Sequence, residues 1–170
     1  KKGQILRRAF AQSHDFRAPD LNVGPFEAQK IMLETIKDVN PKNLCLVGSS
    51  LGGFYATWLA ERIGCKAVLL NPATEPWSVI NDYLGLQTIH NSDRTIFIRP
   101  EYADQAREMA SEVTDPSRYL VFLSTADEVL DWSKGQKKYA SCKQVILPEN
   151  THEIENFDAC LPAIESFLKD

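Results

Sequence analysis

The chain has 170 residues, which is enough for one domain with a hydrophobic core and too few for two. Apolar residues make up 44% of it and charged residues 25%, and the formal net charge is −4. This acidic balance argues against binding to nucleic acid or to an anionic membrane surface. No apolar run approaches the ~20 residues that a bilayer-spanning helix requires. The four scattered cysteines lack metal-ligand spacing, so we expect reduced thiols and a cytoplasmic location.

Helix-like and strand-like segments alternate along the chain. Helical patterns are predicted over residues 3–12, 25–39, 51–63, 100–112, 133–140 and 157–168. Short, continuously apolar strands are predicted over residues 43–48, 66–71, 118–124 and 143–147. This alternation indicates an α/β fold, in which a parallel sheet is covered by helices on both faces. In such sheets the reactive groups gather at the carboxyl ends of the strands.

Residues 48–52 read Gly-Ser-Ser-Leu-Gly and fit the pattern G-x-S-x-G between a predicted strand and a predicted helix. That setting is typical of a nucleophile elbow, in which the turn forces Ser50 into an unfavourable backbone conformation. We expect Gly48 and Gly52 to remove the steric clashes of this turn, and Gly53 to let the helix pack close to the strand. The N–H of Leu51, at the helix N-terminus, is the candidate donor to an oxyanion.

The same segment has a simpler interpretation. Ser49 or Ser50 could serve only as the N-terminal cap of the following helix, with the glycines forming a tight turn. The buried strand before the segment and the helix after it favour the nucleophile over the cap.

A serine nucleophile needs a base, and the chain has three histidines. His14 lies in a polar segment near the start. His90 lies in the middle of the chain, where the apolar residues follow neither helical nor strand spacing clearly. Only His152 follows both the serine and a suitable acid, which is the chain order Ser–acid–His of one hydrolase class. His152 is therefore the candidate base.

The acid is expected just after the strand predicted over residues 118–124. Asp127 is the first acid there, and its role would be to hold the tautomer of His152. Glu128 and Asp131 follow closely and remain alternatives.

The chain resembles the small bacterial YqiA-like esterases, a family of short α/β hydrolases. The matching stretches are residues 47–59, Leu-Asn-Pro-Ala at 70–73, Asp-Tyr-Leu-Gly at 82–85, Asp-Glu-Val-Leu-Asp at 127–131 and Tyr-Ala-Ser-Cys at 139–142. The resemblance implies an α/β-hydrolase-like three-layer sandwich and hydrolysis of esters or thioesters with modest acyl groups. It also implies Ser50, Asp127 and His152 as a catalytic triad.

One feature of that family does not occur in this sequence. Its members open with a strand ending in His-Gly-Phe, whose loop supplies the second oxyanion N–H, and no such motif precedes Lys1. We therefore expect a single domain over residues 1–170 in which the first strand and the oxyanion loop are absent.

The predicted function is a serine hydrolase that acts on small or flexible acyl substrates and needs no cofactor or metal. An irregular cap segment is expected over residues 72–100, where Trp77 and Tyr83 are candidates for the acyl pocket and ordinary core packing is the alternative. Two other functions stay open. One is a non-catalytic binding scaffold, and the other is an acyltransferase or peptidase on the same fold.

Overall fold

The computed structural model describes residues 1–170, with seven α-helices and six β-strands. The helices are α1 (Lys2–Phe10), α2 (Pro25–Ile36), α3 (Leu51–Ile63), α4 (Trp77–Ile80), α5 (Glu101–Glu108), α6 (Trp132–Lys138) and α7 (Leu161–Lys169). The strands are β1 (Cys45–Ser49), β2 (Lys66–Leu70), β3 (Gly85–Thr88), β4 (Thr95–Ile98), β5 (Tyr119–Ser124) and β6 (Lys143–Leu147). None of the helices combines the length and the apolar character needed to cross a bilayer.

Four of the strands form one sheet in the order β1-β2-β5-β6, and every neighbouring pair is parallel. The carboxyl ends of these strands therefore meet at one edge of the sheet, which we call the carboxyl edge. The segments that follow β1, β2, β5 and β6 all begin there. This arrangement confirms the predicted parallel sheet and brings the candidate serine, acid and histidine segments to the same side of the molecule.

Helices cover both faces of the sheet, which confirms the predicted three-layer α/β arrangement. Alternate residues of the central strands face opposite layers, as the period of two in a strand requires. One face packs against α1 and α7 through Val68, Leu70, Leu120 and Phe122. The other face packs against α3 and the α6 region through Ala67, Leu69, Tyr119, Val121 and Leu123. Because both faces are covered, all six residues of β5 are buried, which explains its continuously apolar sequence.

The strand that leads to the candidate nucleophile lies at the rim of the sheet. β1 pairs only with β2, and its other edge faces a groove of about 700 Å³ with largely apolar walls. Residues from α1, α2, β1 and α3 line this groove, among them Phe10, Met32, Leu46 and Tyr55. Strand β1 is accordingly less covered than β5, and Val47 is 41% exposed.

The segment expected to be irregular, residues 72–100, contains regular structure in this fold. It forms α4, a 3₁₀ turn at Asn81–Tyr83 and the antiparallel hairpin β3–β4, which stands apart from the main sheet. Leu86 and Phe97 lie directly opposite each other in this hairpin and are 67% and 58% exposed. Because these apolar side chains point to solvent, the hairpin sequence does not alternate between apolar residues that are buried and polar residues that are exposed. The two strands were therefore not predicted from the sequence.

Candidate active site

Ser50 lies in the sharp turn between β1 and α3, with φ 56° and ψ −119°. A positive φ is rare for residues other than glycine, and such a conformation costs ~1–3 kcal/mol unless the surroundings hold it. Here the Ser50 N–H donates to the carbonyl of Leu70 at 3.0 Å, and the Ser50 carbonyl accepts from the N–H of Ala73 at 2.9 Å. The segment after β2 thus fixes the strained turn from both sides.

Two of the three glycines to which the sequence assigned a role, Gly48 and Gly53, are sterically required at this turn. A Cβ on Gly48 would lie 2.1 Å from the carbonyl oxygen of Gly52, and one on Gly53 would lie 2.7 Å from the Cβ of Pro72. A Cβ on Gly52 would meet no atom within 4 Å. The prediction for Gly48 is confirmed, whereas the prediction that Gly52 removes a clash is wrong because its Cβ would point into open space.

The structure does not support the simpler interpretation of Ser50 as a helix cap. Ser50 occupies the N-cap position of α3, but its side chain makes no capping hydrogen bond. The half-buried hydroxyl therefore remains available for chemistry. As the first residue of α3, Leu51 has no intrahelical acceptor for its N–H, which lies at the positive end of the helix dipole.

Asp127 and His152 form a buried pair at the carboxyl edge. The Nδ1 atom of His152 lies 2.8 Å from Oδ2 of Asp127, and the two side chains are 11% and 2% exposed. The other carboxylate oxygen accepts the backbone N–H groups of Val129 at 2.9 Å and Leu130 at 2.8 Å. A carboxylate held in this way only accepts hydrogen bonds, so it places the imidazole proton on Nδ1 and leaves a lone pair on Nε2.

The two alternative acids have other partners. Asp131 caps α6, because its Oδ1 accepts the N–H of Ser133 at 3.0 Å and the Ser133 hydroxyl at 2.6 Å. These hydrogen bonds hold the pKa of Asp131 below its usual value. Glu128 accepts the backbone N–H of His152 at 3.1 Å. Of the three acids, only Asp127 contacts the imidazole ring.

The other two histidines lie outside this constellation. Nδ1 of His14 is 2.8 Å from the hydroxyl of Ser13, and its ring meets the edge of Phe10. His90 is in the turn of the hairpin, with a side chain that is 77% exposed and 3.7 Å from Glu153. Neither has a buried carboxylate to orient it as a base.

Trp77 and Tyr83, the candidates for the acyl pocket, have different surroundings. Trp77 is half-buried and packs edge-on against Phe54, with the guanidinium of Arg107 at 6.0 Å from its ring centre. Tyr83 is 58% exposed in the 3₁₀ turn that follows α4. No hydrogen bond or ring contact joins either side chain to the candidate triad, and their role in binding stays a prediction.

The cysteines offer no competing nucleophile. All four are unpaired, and burial raises the pKa of Cys45 to about 12 and the pKa values of Cys65 and Cys142 to about 11. Burial also raises the pKa of Cys160. Thiols of this kind are protonated at neutral pH and react poorly. No cluster of His, Cys, Asp and Glu side chains in the structure is arranged to hold a metal ion.

Asn71, which directly follows β2 and is 3% exposed, was not among the site residues predicted from the sequence. Its side chain contacts the end of β5 and the loop that carries His152. An Asn-Pro step after a buried strand is a recognisable turn signal. The contacts themselves depend on segments that are about 50 and 80 residues away, as the pairs 71–124 and 71–152 show.

Comparison with known proteins places the chain in a family. The family model described as "Uncharacterised protein family (UPF0227)" matches residues 1–169. The chain belongs to this family. The match covers nearly the whole sequence, which confirms the resemblance to the YqiA-like proteins.

The chain is also similar to longer proteins. Mouse alpha/beta hydrolase domain-containing protein 17C is 28% identical over 141 residues, which are 80% of this chain and 40% of that protein. The uncharacterized protein YfhR of Salmonella typhi is 27% identical over 131 residues, which are 68% of this chain and 42% of that protein. The chain thus spans about two fifths of the length of these relatives.

Solved structures share the fold. Est1E from Butyrivibrio proteoclasticus aligns with a TM-score of 0.60 at 16% identity and covers 87% of this chain and 69% of its own. Mouse alpha/beta hydrolase domain-containing protein 10 aligns with a TM-score of 0.59 at 17% identity, over 86% of this chain and 70% of its own. These likenesses, together with the parallel sheet and its helices, identify an α/β-hydrolase fold.

Proposed function

We propose that this chain is a serine hydrolase that cleaves carboxylic ester or thioester bonds, with Ser50 as nucleophile, His152 as base and Asp127 as the orienting acid. The observation that carries the proposal is the 2.8 Å contact between Asp127 and His152 at the carboxyl edge, where the strained turn of Ser50 also lies. A serine hydroxyl presented by a tight turn, together with an imidazole oriented by a carboxylate, is the arrangement that acyl transfer requires.

Two consecutive residues link the nucleophile to the base. Leu70 accepts the backbone N–H of Ser50 at 3.0 Å, and the next residue, Asn71, donates from its side chain to the carbonyl of His152 at 2.9 Å. The serine turn and the histidine loop are therefore held against the same short stretch of chain. That shared attachment supports the assignment of Ser50 and His152 to a single reaction centre.

In the first half of the proposed reaction, the Ser50 hydroxyl oxygen attacks the substrate carbonyl carbon and its proton moves to Nε2 of His152. The N–H of Leu51 donates to the oxyanion of the tetrahedral intermediate. When that intermediate collapses, His152 gives the proton to the departing alcohol or thiol. The acyl group remains esterified to Ser50.

In the second half, a water molecule attacks the acyl carbon and passes a proton to Nε2 of His152. Collapse of the second intermediate returns that proton to Ser50 and releases the carboxylic acid. Asp127 accepts the hydrogen bond from the Nδ1–H group throughout and stabilises the imidazolium without being protonated itself. In both halves the base is the neutral imidazole of His152, through the lone pair on Nε2.

The proposed substrates are small or flexible esters or thioesters. The segment expected to form a cap, residues 72–100, is mostly exposed, which favours a shallow site. A shallow site of this kind binds short acyl groups with little loss relative to long ones. Higher rates with long-chain p-nitrophenyl esters than with the acetate would contradict this substrate class.

A cytoplasmic location belongs to the same proposal, because the four thiols are free.

The decisive experiment is labelling with a fluorophosphonate probe, in which an activated serine oxygen attacks phosphorus and displaces fluoride. We expect the parent chain to be labelled and Ser50→Ala to remain unlabelled, with hydrolysis of p-nitrophenyl acetate lowered by about 10⁶-fold. Ser49→Ala is the matched control. It changes the neighbouring serine and should keep the label.

The same experiment distinguishes the alternatives. A folded parent chain that stays unlabelled would contradict the hydrolase and leave a binding scaffold on the same fold. Labelling with transfer of the acyl group to an added amine or alcohol in preference to water would instead indicate an acyltransferase.

A further inference from the structure

The side chain of Asn71 joins three parts of the carboxyl edge. Its Oδ1 accepts the backbone N–H of Ser124 at 2.8 Å, and its Nδ2 donates to the Ser124 hydroxyl at 2.9 Å. The same Nδ2 lies 2.9 Å from the carbonyl of His152 and 3.4 Å from the carbonyl of Thr151. The end of β2 is thereby connected to the end of β5 and to the histidine loop.

We propose that Asn71 is a positioning residue, whose side-chain amide holds the His152 loop beside the turn of Ser50. This inference rests on the proposed function, and it assigns to Asn71 the placement of the base relative to the nucleophile. Asp127 orients the imidazole ring, and Asn71 fixes the backbone from which that ring projects.

The chemistry of the site requires an amide at this position. A carboxylate would place an oxygen opposite the carbonyl oxygen of His152, and an alcohol is too short to reach both Ser124 and the loop. The orientation of the amide is also determined, because exchanging its oxygen and nitrogen would set a donor against the N–H of Ser124. Each polar atom of this 3% exposed side chain therefore has at least one suitable partner.

The backbone of Asn71 supplies a second reason for this residue type. Its φ is 44°, in the left-handed region that asparagine and glycine tolerate better than other residues. Its own N–H continues the sheet by donating to the carbonyl of Phe122 at 2.9 Å. This conformation turns the chain sharply after β2, so that the side chain lies between β5 and the histidine loop while Leu70 still bonds to Ser50.

The histidine loop is held by contacts from several elements. Ile154 has φ 54°, an outlier for a β-branched residue, and its side chain is buried. Asn71 and Lys2 bind backbone carbonyls of the loop, and Glu128 accepts the N–H of His152. Without the Asn71 donor, the carbonyl of His152 would lose its hydrogen bond within the protein. We expect the loop to relax and to move the imidazole away from its productive position.

The test compares Asn71→Gly and Asn71→Asp with the parent chain. Glycine keeps the left-handed backbone and removes the amide, whereas aspartate keeps the size and the acceptor for Ser124 but replaces the donor by a carboxylate oxygen that faces the carbonyl of His152. The matched control is Asn91→Gly, because Asn91 also has a positive φ, 57°, but lies in the exposed hairpin turn. Two readouts are used: kcat for p-nitrophenyl acetate per site titrated by fluorophosphonate, and hydrogen exchange of the peptide covering residues 149–155.

Both Asn71 variants should lower kcat per titrated site by ~10–100-fold, because a displacement of the order of 1 Å at a catalytic group costs that much. KM should stay within about twofold, since the substrate contacts are unchanged. Exchange of residues 149–155 should become faster, and Asn91→Gly should match the parent in both readouts. A residue with only a structural role would change the number of titrated sites and leave kcat per site unaltered.

Parental kcat per site and parental exchange in either folded Asn71 variant would overturn the proposal. Should Asn71→Gly fail to fold, Asn71→Asp decides by the same two readouts. Failure of the proposed function is a separate result, because it would be seen as a parent chain that is neither labelled nor active. In that event the exchange of residues 149–155 alone decides whether Asn71 holds the loop.

Discussion

The loops at the carboxyl edge and the hairpin β3–β4 differ in how their unfavourable residues are held. These residues have a positive φ or an exposed apolar side chain. Five residues other than glycine have positive φ, and four of them lie in the edge loops, namely Ser50, Asn71, Glu149 and Ile154. Hydrogen bonds or burial hold each of them; Glu149, for example, donates its N–H to the hydroxyl of Thr125 at 3.0 Å. The hairpin has the fifth, Asn91, in an exposed turn, and it leaves Leu86 and Phe97 in solvent.

The contacts that hold strained residues are concentrated at the carboxyl edge of this fold. Strain is kept at the carboxyl edge because hydrogen bonds or burial hold each strained residue, and backbone strain of this kind is common at functional sites. The hairpin makes few contacts with the rest of the chain, and a two-stranded ribbon is only marginally stable by itself. Changes at the edge should therefore act on catalysis and stability, whereas changes in the hairpin should act on neither.

After Ser50→Ala, the largest expected effect at the carboxyl edge comes from Asp127. Asp127→Asn keeps the acceptor for Val129 and Leu130 but presents an N–H to His152, which favours the wrong tautomer and should lower kcat by ~10⁴-fold. Asp131→Ala is the matched control, since it should leave kcat unchanged and cost ~1 kcal/mol of unfolding free energy through the lost cap of α6. Steady-state kinetics and urea unfolding measure the two effects. A larger loss of kcat in Asp131→Ala than in Asp127→Asn would show that Asp131, and not Asp127, is the acid that orients His152.

An intermediate effect is expected at the serine turn. Gly48→Ala forces its Cβ against the backbone of Gly52 and Gly53, which cannot yield without opening the start of α3, and should cost ~3 kcal/mol of unfolding free energy. Gly52→Ala meets no atom within 4 Å, and it should be neutral or stabilising by up to ~1 kcal/mol. Urea unfolding of both variants, with fluorophosphonate labelling, provides the measurement. Equal stability of the two would show that the turn is not as tightly constrained as its geometry indicates.

The smallest effect is expected in the hairpin. Leu86→Thr and Phe97→Thr replace exposed apolar side chains by a residue that suits strands, and each should change the unfolding free energy by no more than ~0.5 kcal/mol. Phe122→Ala, in the core of β5, should cost ~3–5 kcal/mol under the same conditions. Thermal or urea unfolding compares them. A loss above ~1 kcal/mol in either hairpin variant would mean that the exposed pair Leu86 and Phe97 contributes to the fold.

The sequence predicted the main sheet well because its strands are buried on both faces. The predicted segments 66–71, 118–124 and 143–147 agree with β2, β5 and β6 to within one residue at either end. A continuously apolar run of this length leaves few alternatives to a covered parallel strand. The hairpin lacked such a signal, because its strands have four residues each and expose their apolar side chains.

The candidate site, like the fold, was only partly predictable from the sequence. The pattern around Ser50 was visible in the sequence because a nucleophile elbow has a fixed local spacing between a strand and a helix. The choice among Asp127, Glu128 and Asp131 was open, since three acids within five residues differ only in the direction of their side chains. Cap formation by Asp131 and the contact of Glu128 with the His152 backbone became visible only in three dimensions.

By itself, the sequence determined the α/β class, the parallel sheet and the residues at which serine chemistry could occur. These features depend on hydrophobic pattern and local spacing, which are properties of contiguous residues. The tertiary structure decided that Asp127 is the acid beside His152, that Gly53 rather than Gly52 is sterically required, and that Asn71 links the elements of the edge. Those features depend on contacts between residues far apart in the chain, whose geometry is set only when the strands are ordered in the sheet.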